Sequence, residues 1–254
     1  MRKNSVTETD RLAVRQRPDG SPIMHQNWGK LHFMHWQVNE DILRPHIPSD
    51  LDIDTFGESA WIAITPFTMW DVRPFPPLIP AVPGLSSMHE LNVRTYVHLD
   101  GVPGVWFFSL DTDNSIAAIG ARTFFHLPYF TAEINLEEHG DVINYELRRD
   151  DDPPADFNGS FRSAKHLPPS QPGSREFFLT ERYVLYTESN GELYRARIHH
   201  QPWKLQESEL QSFSSTMLEA NGIEAPKTQP LVHYAEEVNV DIWALEPVAN
   251  LVDT

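Results

Sequence analysis

The alternation of side chains between residues 90 and 129 predicts the elements around which the chain is organised. From Leu91 to Leu99, apolar or β-branched residues occupy every second position, which is the period of a β-strand. The opposite face of this strand carries Glu90, Asn92, Arg94, Tyr96 and His98. Asp100-Gly101 then offers a tight turn, and a second strand, Val105 to Asp111, returns with apolar residues on both faces. We therefore expect a hairpin whose second strand is covered on both sides.

The next segment predicts a short helix and then a further strand. Asp111 to Asn114 supply side chains that cap helices, and Ser115 to Arg122 follows as the helix. The corner His126-Leu127-Pro128 ends this element, and a new strand starts at Tyr129. This one segment therefore holds most of the polar residues that are candidates for chemistry.

Similar patterns predict short strands along the rest of the chain. The predicted strands are Trp28–Val38, Leu51–Thr55, Ala60–Val72, Tyr129–Leu136, Val142–Arg148, Phe157–Ala164, Tyr183–Thr187, Glu192–His200 and a last strand containing Val238, Val240, Ile242 and Ala244. The strands at 51–72 predict one hairpin, and Asn190-Gly191 predicts another. Glu207–Ala220 predicts the one long helix, with an apolar stripe that includes Leu210 and Phe213.

Loops and termini complete the domain prediction. Pro74–Pro83 contains five prolines in ten residues and predicts an extended loop. Residues 1–22 are polar and aperiodic, so we expect a mobile N-terminal arm. We expect residues 23–254 to form a single sheet-rich domain, because they contain no repeat and no segment typical of a linker.

Charge and residue usage exclude several classes of function. The formal net charge is −16, so we expect neither nucleic acid nor anionic membrane as a partner. The chain has no cysteine, which excludes disulfides, thiolate nucleophiles and zinc–thiolate sites. The first 20 residues lack an apolar core, and no apolar run approaches the ~20 residues that span a bilayer. We therefore expect a cytoplasmic protein, and its self-association is left open.

Several short segments, in a fixed order, resemble a known family. They are LHFMHW, the region from Pro45 to Leu51, ELNVRTYV, GVWFFSLD, LPY, LTERYVLY and HHQPW. Over Trp28 to Glu207 the chain resembles the YqjF-like family of uncharacterised proteins, which is related to acetoacetate decarboxylase. The resemblance implies a mainly β fold of the α+β class: an antiparallel, cone-shaped β-barrel with a few outer helices and an internal cavity. It implies no particular reaction.

The chain departs from acetoacetate decarboxylases at the residues that carry their chemistry. The resemblance matches Glu90 to a glutamate that opens a central strand, and Gly120-Ala121-Arg122 only loosely to a Gly-Arg-Glu segment. In those enzymes a proline precedes two lysines, the first of which forms a Schiff base, whereas Pro128 is followed by Tyr129 and Phe130. No lysine occurs between Leu31 and Ala164. Because an imine requires a primary amine, we expect no Schiff-base chemistry.

Glu90 and Arg94 are the leading candidates for a functional site. The resemblance places Glu90 inward, and the two-residue period then carries Asn92, Arg94 and Tyr96 into the same cavity. There, Arg94 would pair with Glu90 or hold a ligand carboxylate in a bidentate fork. The alternative is an ordinary strand face exposed to solvent.

Further candidates surround the corner after the short helix. Tyr129 replaces the lost lysine and could donate a hydrogen bond to a carbonyl oxygen. Arg122 could contribute to ligand binding or could instead neutralise the C-terminal end of its helix. His126 and Trp106 are further candidates for the lining of a ligand cavity.

Other known site types find no support in the sequence. The twelve histidines lack chelating spacing, so we expect no metal. No phosphate loop, dinucleotide fingerprint or nucleophile elbow occurs, and we expect no cofactor.

The sequence therefore predicts a barrel protein that binds a small organic molecule, with a carboxylate as one candidate ligand. The first hypothesis is a lyase-like enzyme without a Schiff-base lysine that acts on a small oxo or carboxylic compound. In it Glu90 is the acid or base, Arg94 anchors the ligand and Tyr129 assists. The alternative is a non-catalytic ligand-binding protein on the same scaffold.

Overall fold

The computed structural model describes residues 5–74 and 87–251, which form mostly β-structure. The helices are α1 Glu8–Arg15, α2 Glu40–Leu43, α3 Ser115–Phe125, α4 Arg175–Thr180 and α5 Met217–Ala220, with 3-10 turns at Arg44–His46 and Val248–Leu251. The strands are β1 Met24–Val38, β2 Asp52–Ile53, β3 Ala60–Pro74, β4 Ser87–Leu99, β5 Val102–Thr112, β6 Tyr129–Thr131, β7 Glu133–His139, β8 Val142–Arg149, β9 Ala155–His166, β10 Val184–Ser189, β11 Glu192–His200, β12 Leu205–Ser215, β13 Leu231–Ile242 and β14 Glu246–Pro247.

Seven of these strands pair in a closed ring. The order is β1, β3, β4, β5, β10, β11 and β13, and β13 pairs with β1 to complete it. Neighbours in the ring are antiparallel except β5 and β10, whose Leu185 pairs with Val105 in parallel. From β13 the sheet continues through β12, β9 and β8 to β7. A closed ring leaves no free edge along its length, and it creates an inner and an outer face.

The predicted central hairpin is confirmed as β4 and β5. Its turn consists of Asp100 at φ 50° and Gly101 at φ 84°, and Leu99 pairs with Val102 beside it. The pairing shifts by one residue between Val93 and Arg94, so Phe108 is the extra residue of a β-bulge in β5. This bulge reverses which residues of β5 point inward on either side of it.

The largest core lies on the outer face of the ring, between it and the strands β8 and β9. Leu91, Val93 and Val97 of β4 are fully buried there. Tyr145 of β8 and Phe161 of β9 belong to the same cluster. Because this core takes one face of β4, the alternate residues of the strand face the interior of the ring.

Residues 1–22, which the composition predicts to be a mobile arm, contain the helix α1. The sequence analysis does not predict this helix. Thr7 and Asp10 form a reciprocal capping box that starts α1. Arg11 is buried, and its guanidinium donates to both carboxylate oxygens of Asp54 at 2.7 Å. The bidentate pair attaches this helix to the segment that follows β2.

Two predicted elements are wrong. The strand β2 pairs with β4 through Asp52 and His98, so residues 51–72 do not form a hairpin. The predicted long helix at 207–220 is the strand β12 followed by the single turn α5. Serines are weak helix formers, and pairing of β12 with β9 and β13 satisfies its backbone in the extended conformation. Leu210 still packs against the main core, now from a strand.

The predicted strand Tyr129–Leu136 is divided into β6, which pairs with β5, and β7, which pairs with β8. The other predicted elements agree with the structure, apart from their exact ends. Asn114 caps α3 through its side-chain oxygen, as expected, and Asn39 and Ser174 cap α2 and α4 in the same way. The hairpins β7–β8 and β10–β11 are present, the latter turning at Asn190-Gly191. Ala244 lies beyond the end of β13. The predicted Pro74–Pro83 loop, apart from Pro74 at the end of β3, lies outside the described residues.

Candidate functional site

A cavity of about 360 Å³ lies within the ring. Every strand of the ring contributes to its lining, and α3 adds one further wall. Most of the lining is apolar, with Phe33, Phe67, Phe107 and Trp203 among its aromatic residues. A mostly apolar cavity of this size with a few polar groups is the usual form of a small-molecule site.

The polar face of β4 lies along this cavity. Glu90, Asn92 and Arg94 line it, and these residues are 3%, 4% and 9% exposed. Their alternation with the buried Leu91 and Val93 follows from the two-residue period of the strand. The prediction that this face points inward, and not to solvent, agrees with the structure at these three positions.

Glu90 forms a hydrogen-bonded pair with Tyr129. The Tyr129 hydroxyl donates to Oε2 of Glu90 at 2.7 Å. Burial raises the pKa of Glu90 to about 7, although hydrogen bonds from Tyr129 and Asn92 act in the opposite direction. Burial also raises the pKa of Tyr129 well above its usual value, so the phenol remains a donor. A carboxyl that titrates near neutral pH can both accept and donate a proton.

The corner after α3 positions Tyr129. The helix ends where His126 adopts a left-handed conformation at φ 53°, which turns the chain back toward the ring. The backbone N–H of Leu110 then donates to Pro128 O at 3.0 Å. Tyr129 pairs with Leu110 in parallel, and Leu110 pairs with Asn92 on its other side. These pairings place the phenol beside the polar face of β4.

Arg94 lies apart from Glu90. The ion pairs of the described residues include none between these two side chains, so the predicted alternative of a Glu90–Arg94 pair is not observed. The guanidinium lies over the ring of Phe33, with its carbon 5.5 Å from the ring centroid. Its Nε is buried and has no hydrogen-bond partner among the described residues. The Arg94 side chain also hydrogen-bonds the Tyr96 hydroxyl, and its unpaired Nε can donate to an anionic ligand.

Two titratable residues of the described cavity lining were not predicted from the sequence. Arg182 lines the cavity and donates to Oδ2 of Asp54 at 2.6 Å. His200 also lines it, and burial lowers the pKa of its ring to about 4, so it is neutral at pH 7. Both residues lie in segments that carry the family resemblance, LTERYVLY and HHQPW. Their place in these segments was the only indication in the sequence that the two residues matter. The local sequence does not show that either side chain points into the cavity.

The structure corrects the predicted positions of two residues on the ring strands. Tyr96 is not part of the cavity lining, because the guanidinium of Arg182 covers its ring at 4.5 Å. Its hydroxyl donates to Leu179 O at 2.9 Å. Trp106 points to the opposite face from its neighbours Val105 and Phe107, which line the cavity. Strict alternation along β5 would place Trp106 and Leu110 on the same face. The bulge at Phe108 lies between them, so Leu110 lines the cavity and Trp106 does not.

The two candidates around α3 also lie outside the lining. Arg122 is exposed in the last turn of α3, where a cation interacts favourably with the end of the helix. The ring of His126 packs against that of Tyr194, with centroids 5.2 Å apart. These positions favour the structural alternative for Arg122 and a packing role for His126.

The cavity lining contains no lysine among the described residues. Tyr129 occupies the wall at the position that the resemblance matches to the Schiff-base lysine. Phe130 instead lies against the guanidinium of Arg149, 4.1 Å from its ring centroid. Arg149 and Asp111 form a fully buried ion pair with 3.3 Å between Nη1 and Oδ1. This pair belongs to the outer side of β5, away from the cavity.

Two further features concern metals and membranes. Within residues 5–74 and 87–251, no group of three or more histidine and acidic side chains is arranged to hold a metal ion. None of the helices in the described part of the chain has both the length and the apolar character that a membrane crossing requires.

Solved structures share this architecture at low sequence identity. The enduracididine biosynthesis enzyme MppR, solved in complex with pyruvate, superimposes with a TM-score of 0.64 at 11% identity, covering 90% of this chain and 91% of that one. Acetoacetate decarboxylase from Legionella pneumophila gives 0.59 at 11% identity, covering 89% and 88%. An acetoacetate decarboxylase-like enzyme from Sphingomonas wittichii RW1 gives 0.60 at 9%, covering 90% and 94%. The chain therefore has the acetoacetate decarboxylase-like fold.

Sequence comparison then identifies the family. The model of the DUF2071 family, described as an uncharacterised conserved protein, matches residues 25–239. The uncharacterised protein YqjF of Bacillus subtilis (strain 168) is 43% identical over 228 residues, which cover 90% of this chain and 93% of the relative. The chain belongs to this YqjF-like family, as its sequence motifs predict.

Proposed function

We propose that this protein is an enzyme that transfers a proton at a carbon next to the carbonyl group of a small oxo acid, without forming a Schiff base. Glu90 is the acid or base, Tyr129 holds its carboxyl in place, and Arg94 binds the carboxylate of the ligand. The proposal also takes the ring of strands as a cone-shaped barrel within a single domain of residues 23–254, against which α1 packs through Arg11.

The observation that carries the proposal is the Glu90–Tyr129 hydrogen bond in the wall of an apolar cavity. A buried carboxyl with a pKa of about 7 is suited to general acid–base catalysis at neutral pH. Arg94 on the same strand supplies the positive charge that a carboxylate ligand requires. The complex of MppR with pyruvate is consistent with an oxo acid as ligand on this fold.

Hydrogen–deuterium exchange tests the reaction directly. Pyruvate and 2-oxobutyrate are incubated in D₂O with the protein, and loss of the C3 proton signal is followed by NMR against a protein-free blank. We expect exchange with the wild type and at least a hundredfold slower exchange with Glu90→Gln. This variant keeps the shape of the side chain, but its amide cannot act as a general acid or base at neutral pH. Equal rates for the two proteins would refute the role of Glu90.

The second candidate is a binding protein without catalysis on the same scaffold. The apolar lining and the buried arginines suit a ligand equally well in this case. Native mass spectrometry of freshly purified protein distinguishes the two together with the exchange experiment. A retained small molecule that is unchanged after incubation, combined with no exchange in either oxo acid, would favour the binding protein.

A further inference from the structure

The end of the cavity near α4 contains an excess of buried positive charge. Asp54 is 3% exposed and accepts hydrogen bonds from both Arg11 and Arg182, at 2.6–2.7 Å. Two guanidinium groups therefore share one carboxylate. Arg11 also reaches toward the surface, where Glu8 lies 3.9 Å away, whereas Arg182 is 5% exposed. Nη2 of Arg182 has no hydrogen-bond partner among the described residues.

Arg94 adds a third guanidinium to this region. The side chains of Arg94 and Arg182 both line the cavity, and both lower the pKa of the Tyr96 hydroxyl against the larger, raising effect of its burial. Burial lowers the pKa of His35 and His200, so these histidines add no charge at pH 7. The nearby Glu181 is engaged by Tyr183 and by the Trp203 backbone N–H.

The polar atoms of the lining are also incompletely paired. Buried Thr65 Oγ1 and Asn92 Oδ1 have no hydrogen-bond partner among the described residues, like Nε of Arg94. Buried polar groups and charges are destabilising unless a partner satisfies them. A bound anion with its own hydrogen-bonding atoms would satisfy the donors and offset the charge.

We propose that Arg94 and Arg182 together form the carboxylate subsite of the cavity, and that its ligands are carboxylates with an extended apolar body. This inference rests on the proposed function and names the ligand class of the same site. Glu90 and Arg94 are four residues apart on β4, about 13 Å between Cα atoms. A carboxylate held at the arginine end can therefore extend along the apolar wall toward Glu90, beyond the length of a three-carbon acid. Leu31, Phe33, Phe67 and Phe107 would surround its body.

A series of straight-chain carboxylates tests the subsite by calorimetry at pH 7. We expect affinity to rise about threefold to fourfold per methylene from butanoate to octanoate, because each buried CH₂ adds hydrophobic stabilisation. Octanamide, the uncharged match of octanoate, should bind at least tenfold more weakly. Affinity that is independent of chain length would overturn the extended body, and equal binding of octanamide would overturn the carboxylate subsite.

Variants assign the subsite to its residues. Arg94→Gln and Arg182→Gln should each weaken octanoate at least tenfold and leave the weak binding of octanamide unchanged. Asp54 keeps Arg11 as its partner when Arg182 is replaced. The variant Arg182→Lys retains a positive charge beside Asp54 but loses the planar fork of the guanidinium, so this variant should bind octanoate only in part as well as the wild type. Arg148→Gln, at an exposed pair with Asp150, is the matched control. Octanoate bound equally by all four variants would overturn the assignment.

The two proposals can fail separately. Chain-length-dependent binding of octanoate that requires Arg94 and Arg182 supports the subsite even when Glu90→Gln exchanges protons as fast as the wild type. Conversely, proton exchange could depend on Glu90 while octanoate binding is unchanged by substitution of either arginine. That result would overturn the subsite and leave the proposed reaction intact.

Discussion

The Tyr129 hydroxyl donates to Glu90 across 39 positions of sequence, at 2.7 Å. The contact joins the inward face of β4 to the short strand β6, which pairs in parallel with β5. It gives a buried carboxyl a neutral donor and no ion pair within the described residues. A carboxyl in such surroundings keeps its proton to higher pH than an exposed one.

The first prediction concerns the pH dependence of stability. Because burial raises the pKa of Glu90 to about 7 from its usual 4.5, the folded state is penalised once the unfolded carboxyl ionises. The contribution of Glu90 is therefore neutral below about pH 4.5, becomes unfavourable between pH 4.5 and 7, and is constant above. Relative to the wild type, Glu90→Gln should gain stability across this window, on the order of 3 kcal/mol.

Urea unfolding at several pH values measures this difference, with Glu188→Gln as the control. Glu188 is exposed on β10 and lies outside the cavity, so its substitution controls for the replacement of a glutamate as such. A Glu90→Gln difference that is flat from pH 4 to 8 would contradict the raised pKa.

The second prediction concerns the hydrogen bond itself. Since the bond from Tyr129 lowers the pKa of Glu90 against the effect of burial, Tyr129→Phe should raise that pKa further above 7. The pKa can be followed by NMR of the carboxyl carbon in protein labelled at glutamate. Tyr194→Phe is the matched control, because that hydroxyl donates to Glu192 at 2.7 Å outside the cavity. A lower pKa in Tyr129→Phe would show that the phenol does not stabilise the carboxylate.

The third prediction is that no lysine forms an imine. Tyr129 occupies the cavity wall, the described lining contains no lysine, and the side chain of Lys165 is 76% exposed. Borohydride reduction in the presence of pyruvate, followed by intact mass spectrometry, should therefore leave the mass unchanged. An acetoacetate decarboxylase treated in parallel is the positive control. A stoichiometric adduct on any lysine would show that amine catalysis is retained.

The fourth prediction concerns the Asp111–Arg149 pair. Both side chains are fully buried, so Asp111→Asn should leave the Arg149 charge without a counter-ion and destabilise the protein by about 3–5 kcal/mol. The double variant Asp111→Asn, Arg149→Met should lose less than the sum of the single variants. Urea unfolding measures the cycle, and the exposed pair of Arg148 with Asp150 is the control, for which no change is expected. Additive losses would show that the buried groups do not interact.

The local periodicities of the chain determined much of this protein. The alternation along residues 90–99 was sufficient to predict β4, and Asp100-Gly101 to predict its turn. A tyrosine at position 129 cannot form a Schiff base in any conformation, because that chemistry depends on residue type and not on geometry. Only the resemblance, and not the alternation, indicated that Glu90 points inward.

Tertiary structure alone decided the composition of the site. An extra residue in β5 is not visible as a pattern, yet the bulge at Phe108 directs Trp106 away from the cavity. Glu207–Ala220 has an apolar stripe compatible with a helix, but pairing with β9 and β13 makes most of it a strand. Arg182 meets Asp54 across 128 positions and Tyr129 meets Glu90 across 39. Such contacts depend on how the ring closes. They cannot be predicted from local sequence, because the contacting residues come from strands that are distant in the chain.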